Sequence, residues 1–96
     1  MPQLIWSPRA LRDIQRIYRF LYAKNPKAAK RAVAAIRRGI TSLADFPDAG
    51  QAAPDLGIAC RRWLVRFGRD GYVVVYRTEP DFVLLLSLRH QKETVS

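Results

Sequence analysis

One cysteine, Cys60, and one histidine, His90, are all that this chain offers of the two commonest soft metal ligands. A single cysteine cannot close an intramolecular disulfide, and one thiol with one imidazole cannot build a zinc site. Neither a disulfide scaffold nor a metal centre is expected, and no cofactor is called for. Long apolar runs are also missing. The longest, residues 82–86, is strand-length, far short of the roughly 18 residues of a membrane span, so no membrane partner is expected. The opening MPQLIWSP has no basic leader followed by an apolar stretch, which points to a cytoplasmic protein. No glycine-rich loop precedes a helix and no Ser/His/Asp set is suggested, which argues against nucleotide cradling and triad chemistry. Aromatic residues are not interleaved with bases, as they are in single-strand stacking platforms.

Acidic side chains are the scarcest of all in the first half. Residues 1–45 hold 10 bases and 2 acids, whereas residues 46–96 hold 7 and 6. The whole-chain charge of +9 is therefore almost entirely a property of the N-terminal half. Such a field attracts phosphate backbones or an acidic protein. The plainer explanation is a solvated helix face. With 96 residues and 49% hydrophobic side chains, the chain is long enough for one packed domain, residues 1–96.

QLIW at 3–6 reads as a short strand, stopped by Ser7-Pro8, a helix cap followed by a first-turn proline. Leu11, Ile14, Ile17, Tyr18 and Leu21 then recur at spacings of three and four, predicting a helix that ends near Lys24. Arg12, Arg16 and Arg19 keep the same period on another face, a candidate basic helical face for an acidic partner. Asn25-Pro26 repeats the start signal for a second helix, whose stripe is Ala29, Ala32, Val33, Ile36, Ile40 and Leu43. The join is short enough to force an antiparallel helical hairpin. Residues 45–57 are a connecting loop. Thereafter the period becomes two: strands are predicted over 60–67, 72–77 and 82–88, with turns at 68–71 and 78–81. The expected fold is α+β, in the order β-α-α-β-β-β, with an antiparallel sheet packed on the hairpin.

Alternation puts Arg62 and Arg66 on one face of their strand. If Arg77 or Arg89 joins them, the sheet carries an arginine cluster able to grip phosphates or a target. Alternation leaves the register between strands open, so solvent-facing arginines remain the alternative. An imidazole can move protons near neutral pH. Cleaving RNA through its 2′-hydroxyl needs a base, an acid and cations. His90, Arg66 and Arg77 fill only part of that set. Tyr72 and Tyr76 fall at packed strand positions, and Glu93 falls in a tail expected to be mobile.

The stretches IWSPRALRDIQRIYRFL, NPKAAKRAVAAI, LADFPDAG and GIACRRWLVRFGRDGYVVVYRTEPDFVLLLSLRH resemble the RelE/ParE superfamily of toxins from bacterial type II toxin–antitoxin systems. The likeness runs over nearly the whole chain and rests on order, lengths and loop pattern. It implies a growth inhibitor neutralised by a cognate acidic antitoxin in a toxin–antitoxin hetero-oligomer. It also implies one of two targets. RelE-like members cut mRNA on the ribosome, using basic residues and often a C-terminal tyrosine, whereas ParE-like members poison DNA gyrase. Val73 stands where many of the nucleases have arginine, Gln91-Lys92 follows His90, and the tail QKETVS has no tyrosine. These departures favour the ParE-like target. A ribosome-dependent mRNA endonuclease using Arg66, Arg77 and His90 is the second reading, and a member that has lost toxicity the third.

Overall fold

A computed structural model describes residues 3–93; residues 1–2 and 94–96, the latter including the end of the QKETVS tail, lie outside the described residues. The elements follow in the order β1 (Gln3–Trp6), α1 (Pro8–Lys24), α2 (Pro26–Asp45), β2 (Gln51–Ala52), a 3-10 turn (Pro54–Leu56), β3 (Cys60–Phe67), β4 (Asp70–Thr78) and β5 (Phe82–His90). The two capping signals work as the sequence predicts. The Ser7 hydroxyl oxygen accepts the Ala10 N–H at 3.0 Å, and Asn25 Oδ1 accepts the Ala28 N–H at 3.1 Å. Asn25 also donates its backbone N–H to Leu21 O, so a single residue ends α1 and starts α2. With no slack between them, the helices fold back on each other.

The sheet differs from the expected antiparallel meander in two ways. Its strand order is β1-β5-β4-β3-β2, and β1 runs parallel to β5, pairing Gln3 with Phe82 through Trp6 with Leu85. The segment expected to be wholly a loop adds β2, which pairs Gln51 with Arg62 and Ala52 with Arg61. The β3–β4 turn is also tighter than expected, because Phe67 pairs with Asp70 and only Gly68 and Arg69 bridge the strands. Gly68 has φ +62, which suits a two-residue hairpin loop.

Both helices cover one face of the sheet. Ile14 and Ile17 of α1 and Ile36, Ile40 and Leu43 of α2 meet Val65, Tyr72, Val74, Tyr76, Val83, Leu85 and Leu88 in a single core. Gly39 brings α2 close to β3: a Cβ there would lie 2.8 Å from Val65 Cγ2. Between Val75/Ser87 and Tyr76/Leu85 the β4–β5 ladder contains a bulge, and Leu86 is the residue left without a partner. Its carbonyl accepts the Ser7 hydroxyl at 3.1 Å, so the helix cap also secures the bulge.

Beyond Trp6, β1 no longer covers the edge of β5, and α1 takes over. Asp13 Oδ2 accepts the Leu88 N–H at 2.9 Å, and Arg16 Nη2 donates to Leu88 O at 3.3 Å. Side chains thus satisfy backbone groups that would otherwise form an open strand edge. Replacing Asp13 with alanine leaves a part-buried N–H without its acceptor. We expect a loss of about 1–3 kcal/mol, with Asp13→Asn losing less because it keeps an acceptor. Thermal melts of the two variants decide this, and an unchanged Asp13→Ala melt would mean that water replaces the carboxylate.

Candidate functional site

The register left open by alternation is now fixed. Leu64 pairs with Val73 and Val73 with Arg89; Arg62 pairs with Val75 and Val75 with Ser87; Arg66 pairs with Gly71, and Arg77 with Cys60 and Leu84. Arg62, Arg66, Arg77 and Arg89 therefore share the face of the sheet that the helices leave uncovered. They do not converge on one point. Arg66 and Arg77 lie at opposite ends of the β3–β4 ladder, roughly 20 Å apart at the usual rise per residue.

Most of these arginines are already engaged. Arg62 Nη2 donates to Asp55 Oδ2 at 2.6 Å, an exposed pair that lowers the Asp55 pKa chiefly through that hydrogen bond. The contact is lost as pH falls and the carboxylate protonates. Arg77 Nε lies 2.9 Å from Glu79 Oε1 but makes no hydrogen bond, so the contact is a charge pair alone. Arg89 turns Nη1 toward the carbonyls of His90 and Gln91 at 3.5 and 3.4 Å. Arg66 is exposed and has no ion-pair partner among the described residues. Arg62 and Arg89 flank a groove of about 660 Å³, floored by Val75, Leu86 and Ser87 and closed on one side by Arg9 and Arg16 of α1.

His90 lies on the other side of the sheet. It pairs with Tyr72, whose ring it meets edge-on at 5.4 Å between centroids. Its Nδ1 accepts the Lys92 N–H at 3.1 Å, and Nε2 lies 3.8 Å from Asp70 Oδ2. The Lys92 ammonium is 3.5 Å from the other oxygen of Asp70. The sheet therefore separates the histidine from Arg66 and Arg77. The tyrosines offer no second proton-transfer group. Tyr72 and Tyr76 are buried, and burial raises both phenol pKa values above their ordinary value. Tyr76 donates to Pro47 O at 2.7 Å and accepts the Gly50 N–H at 2.9 Å.

Glu93 is held in place, contrary to the mobile tail expected from the sequence. Its Oε2 meets Arg16 Nη1 at 2.7 Å, and its Oε1 accepts the His90 N–H at 3.2 Å. Arg16 is accordingly occupied, with Asp13 at 3.6 Å on its other side, whereas Arg12 and Arg19 are exposed and form no ion pair among the described residues. The basic stripe on α1 is thus two free arginines and one that clips the fold together.

A feature that sequence reasoning missed lies beside His90. The second half of α1 and the tip of the β3–β4 hairpin stand apart, leaving a cavity of about 600 Å³. Ile17, Phe20, Leu21, Phe67 and Tyr72 line it, with Arg16, Arg69, Asp70, His90 and Lys92 around the mouth. Phe20 is 61% exposed at its edge. An apolar trough whose rim carries Arg16, Arg69 and Lys92 beside Asp70 and Glu93 can take up an amphipathic segment. The one sequence signal was Phe20, an apolar residue outside the buried stripe of its helix. Among the described residues no group of three or more His, Cys, Asp or Glu is placed to hold a metal ion. No helix there is long and apolar enough to cross a membrane.

Comparison with known proteins agrees with this architecture. Residues 4–95 match the family described as ParE toxin of type II toxin-antitoxin system, parDE. The chain is 37% identical over 87 residues to the protein named toxin RelE3 of Caulobacter vibrioides, covering 91% of each. It is 31% identical over 90 residues to toxin RelE2 of the same organism, covering 94% of this chain and 96% of that one. A solved structure titled chromosomal ParDE TA system from P. aeruginosa superposes with a TM-score of 0.75 at 21% identity, covering 94% of this chain and 96% of that chain. The shared order of a strand, a helical hairpin and a three-strand meander is the fold this likeness carries. The chain belongs to the ParE toxin family of type II toxin–antitoxin systems, within the RelE/ParE superfamily.

Proposed function

We propose that this toxin stops growth by binding and poisoning DNA gyrase in the cytoplasm, without hydrolytic chemistry of its own. The observation that carries this reading is the sheet itself, which puts His90 on one face and Arg66 and Arg77 on the other. In-line cleavage of RNA needs a proton-transfer pair and a cation at one phosphate. An open face bearing four arginines and a floor of Leu64, Val73 and Val75 suits the docking of a protein surface, with the arginines as polar anchors. An acidic antitoxin segment neutralises the toxin by laying apolar side chains in the trough between α1 and the β3–β4 hairpin.

The test is supercoiling by purified gyrase with a plasmid substrate. Added toxin is expected to inhibit supercoiling or accumulate cleaved DNA, and gyrase left unaffected at saturating toxin refutes the proposal. His90→Ala is expected to retain growth inhibition. The second reading, a ribosome-dependent mRNA endonuclease, is favoured by the names of the Caulobacter relatives. On that reading His90→Ala loses about 10²- to 10⁴-fold in cleavage. Mapping mRNA ends after translation in vitro then finds codon-positioned cuts.

A further inference from the structure

We propose that the outer face of α2 binds the sugar–phosphate backbone of duplex DNA. Lys27, Arg31 and Arg38 form one stripe, on the side of α2 opposite its buried residues Ala29, Ala32, Ile36, Ile40 and Leu43. Lys30 and Arg37 flank the stripe, and all five are exposed. None forms an ion pair among the described residues, and the only carboxylate on the helix is Asp45 at its end.

A face kept merely for solubility is built differently. It interleaves acids with bases at spacings of three and four and places acids in the first turn, where the helix dipole favours them. Here Lys27 occupies the first turn, which contains no acid, and repels Lys30 and Arg31 at those same spacings. The arrangement works against the isolated helix, which is what a surface neutralised by a polyanion looks like. The stripe covers about 16 Å of helix, a length over which duplex DNA presents several phosphates. Arg37 is steadied over the Trp6 ring, 5.8 Å from its centroid. With Arg19 of α1 it walls a crevice of about 240 Å³ between the helices.

The composition of the face selects the partner. The large exposed apolar side chains of the helical layer are Leu11, Phe20 and Tyr22 on α1 and Phe46, which caps α2 beyond the end of the basic stripe. A protein partner would need apolar anchors at the centre of its footprint, and α2 offers none. Single strands would need aromatic platforms, which α2 also lacks. Repeated phosphates need only cations. This surface is on the far side of the core from the arginines of the sheet, so it can be occupied together with them. The inference is independent of the target proposed above, because its test uses neither gyrase nor antitoxin.

The test is titration of a fluorescent DNA duplex of arbitrary sequence with the full-length toxin at several salt concentrations. The logarithm of the association constant should fall linearly with the logarithm of salt concentration. The triple variant Lys27→Ala/Arg31→Ala/Arg38→Ala should reduce that slope by about 2–3, near the 0.9 per lost phosphate contact. It should also melt no lower than the parent, since it relieves repulsion. Arg62→Ala/Arg66→Ala on the sheet should leave the slope unchanged. Any one of four results overturns the inference: an unaltered slope in the triple variant, a lower melting temperature for it, tighter binding of an RNA duplex of equal length, or displacement of the DNA by polyglutamate at a lower charge concentration than by unlabelled duplex.

Discussion

Phe20→Asp is expected to weaken capture of the antitoxin by roughly 30- to 1000-fold, the range set by losing an interfacial aromatic anchor worth about 2–4 kcal/mol. The residue lies in the lining of the trough between α1 and the β3–β4 hairpin, yet its ring is 61% exposed in the free protein. An apolar side chain so placed contributes little to folding and much to a complex that covers it. Aspartate adds a further penalty, because it sets a charge where a partner would lay an apolar side chain. The melting temperature should barely change, which separates loss of binding from loss of fold. Calorimetric titration with the cognate antitoxin reads the affinity, and co-expression reads the consequence, as cells are no longer rescued. Undiminished affinity would place the antitoxin elsewhere on the toxin.

Gly50→Ala should be the most damaging single change to the fold outside the core. A Cβ at this position would lie 2.7 Å from Arg62 O and 2.7 Å from Tyr76 Oη, and the first of these is backbone that cannot swing aside. The residue also anchors the segment between α2 and β3. Its N–H donates to the buried Tyr76 hydroxyl, and its carbonyl accepts Arg61 Nη1 at 2.7 Å. Relieving the overlap moves the loop and strands the Tyr76 hydroxyl. The combined cost of overpacking and a broken buried hydrogen bond is about 2–4 kcal/mol. For a domain of this size the thermal midpoint falls by roughly 10–30 °C. A midpoint within a few degrees of the parent would show that the loop yields at no cost.

The helices were legible because their signals are local. Ser7-Pro8 and Asn25-Pro26 announce where each helix begins, and spacings of three and four mark which side of it is buried. The strands were legible as strands, and alternation correctly grouped Arg62 with Arg66. What alternation could not supply was anything that depends on pairing between distant segments. The parallel seat of β1 beside β5 and the two-residue β2 have no local signal. The bulge at Leu86 matters most for the site. Read with a strict period of two, FVLLLSLRH puts Arg89 on the side of Val83 and Leu85, and His90 on the opposite side. The bulge reverses both, so Leu85 and Leu88, three apart, are buried together and His90 joins Tyr72. The trough escaped notice for a related reason: it is a gap between α1 and a hairpin tip, and no stretch of sequence spells a gap.

The bulge also bears on how the chain finds its fold. A nascent β4–β5 hairpin could zip up in the regular register, with no residue skipped. Ser87 would then lie opposite Val74 on the core face, Leu88 would turn out to the open face, and Arg89 would take the place of His90 beside Tyr72. Exposing Leu88, which is buried in the fold, and burying the Ser87 hydroxyl in its stead costs about 2–4 kcal/mol. Leu88 thus acts as a checkpoint on strand alignment, favouring the bulged hairpin as the helices dock. Ser7 completes the selection from the other end of the chain, since its hydroxyl finds the spare carbonyl of Leu86 only in the accepted register.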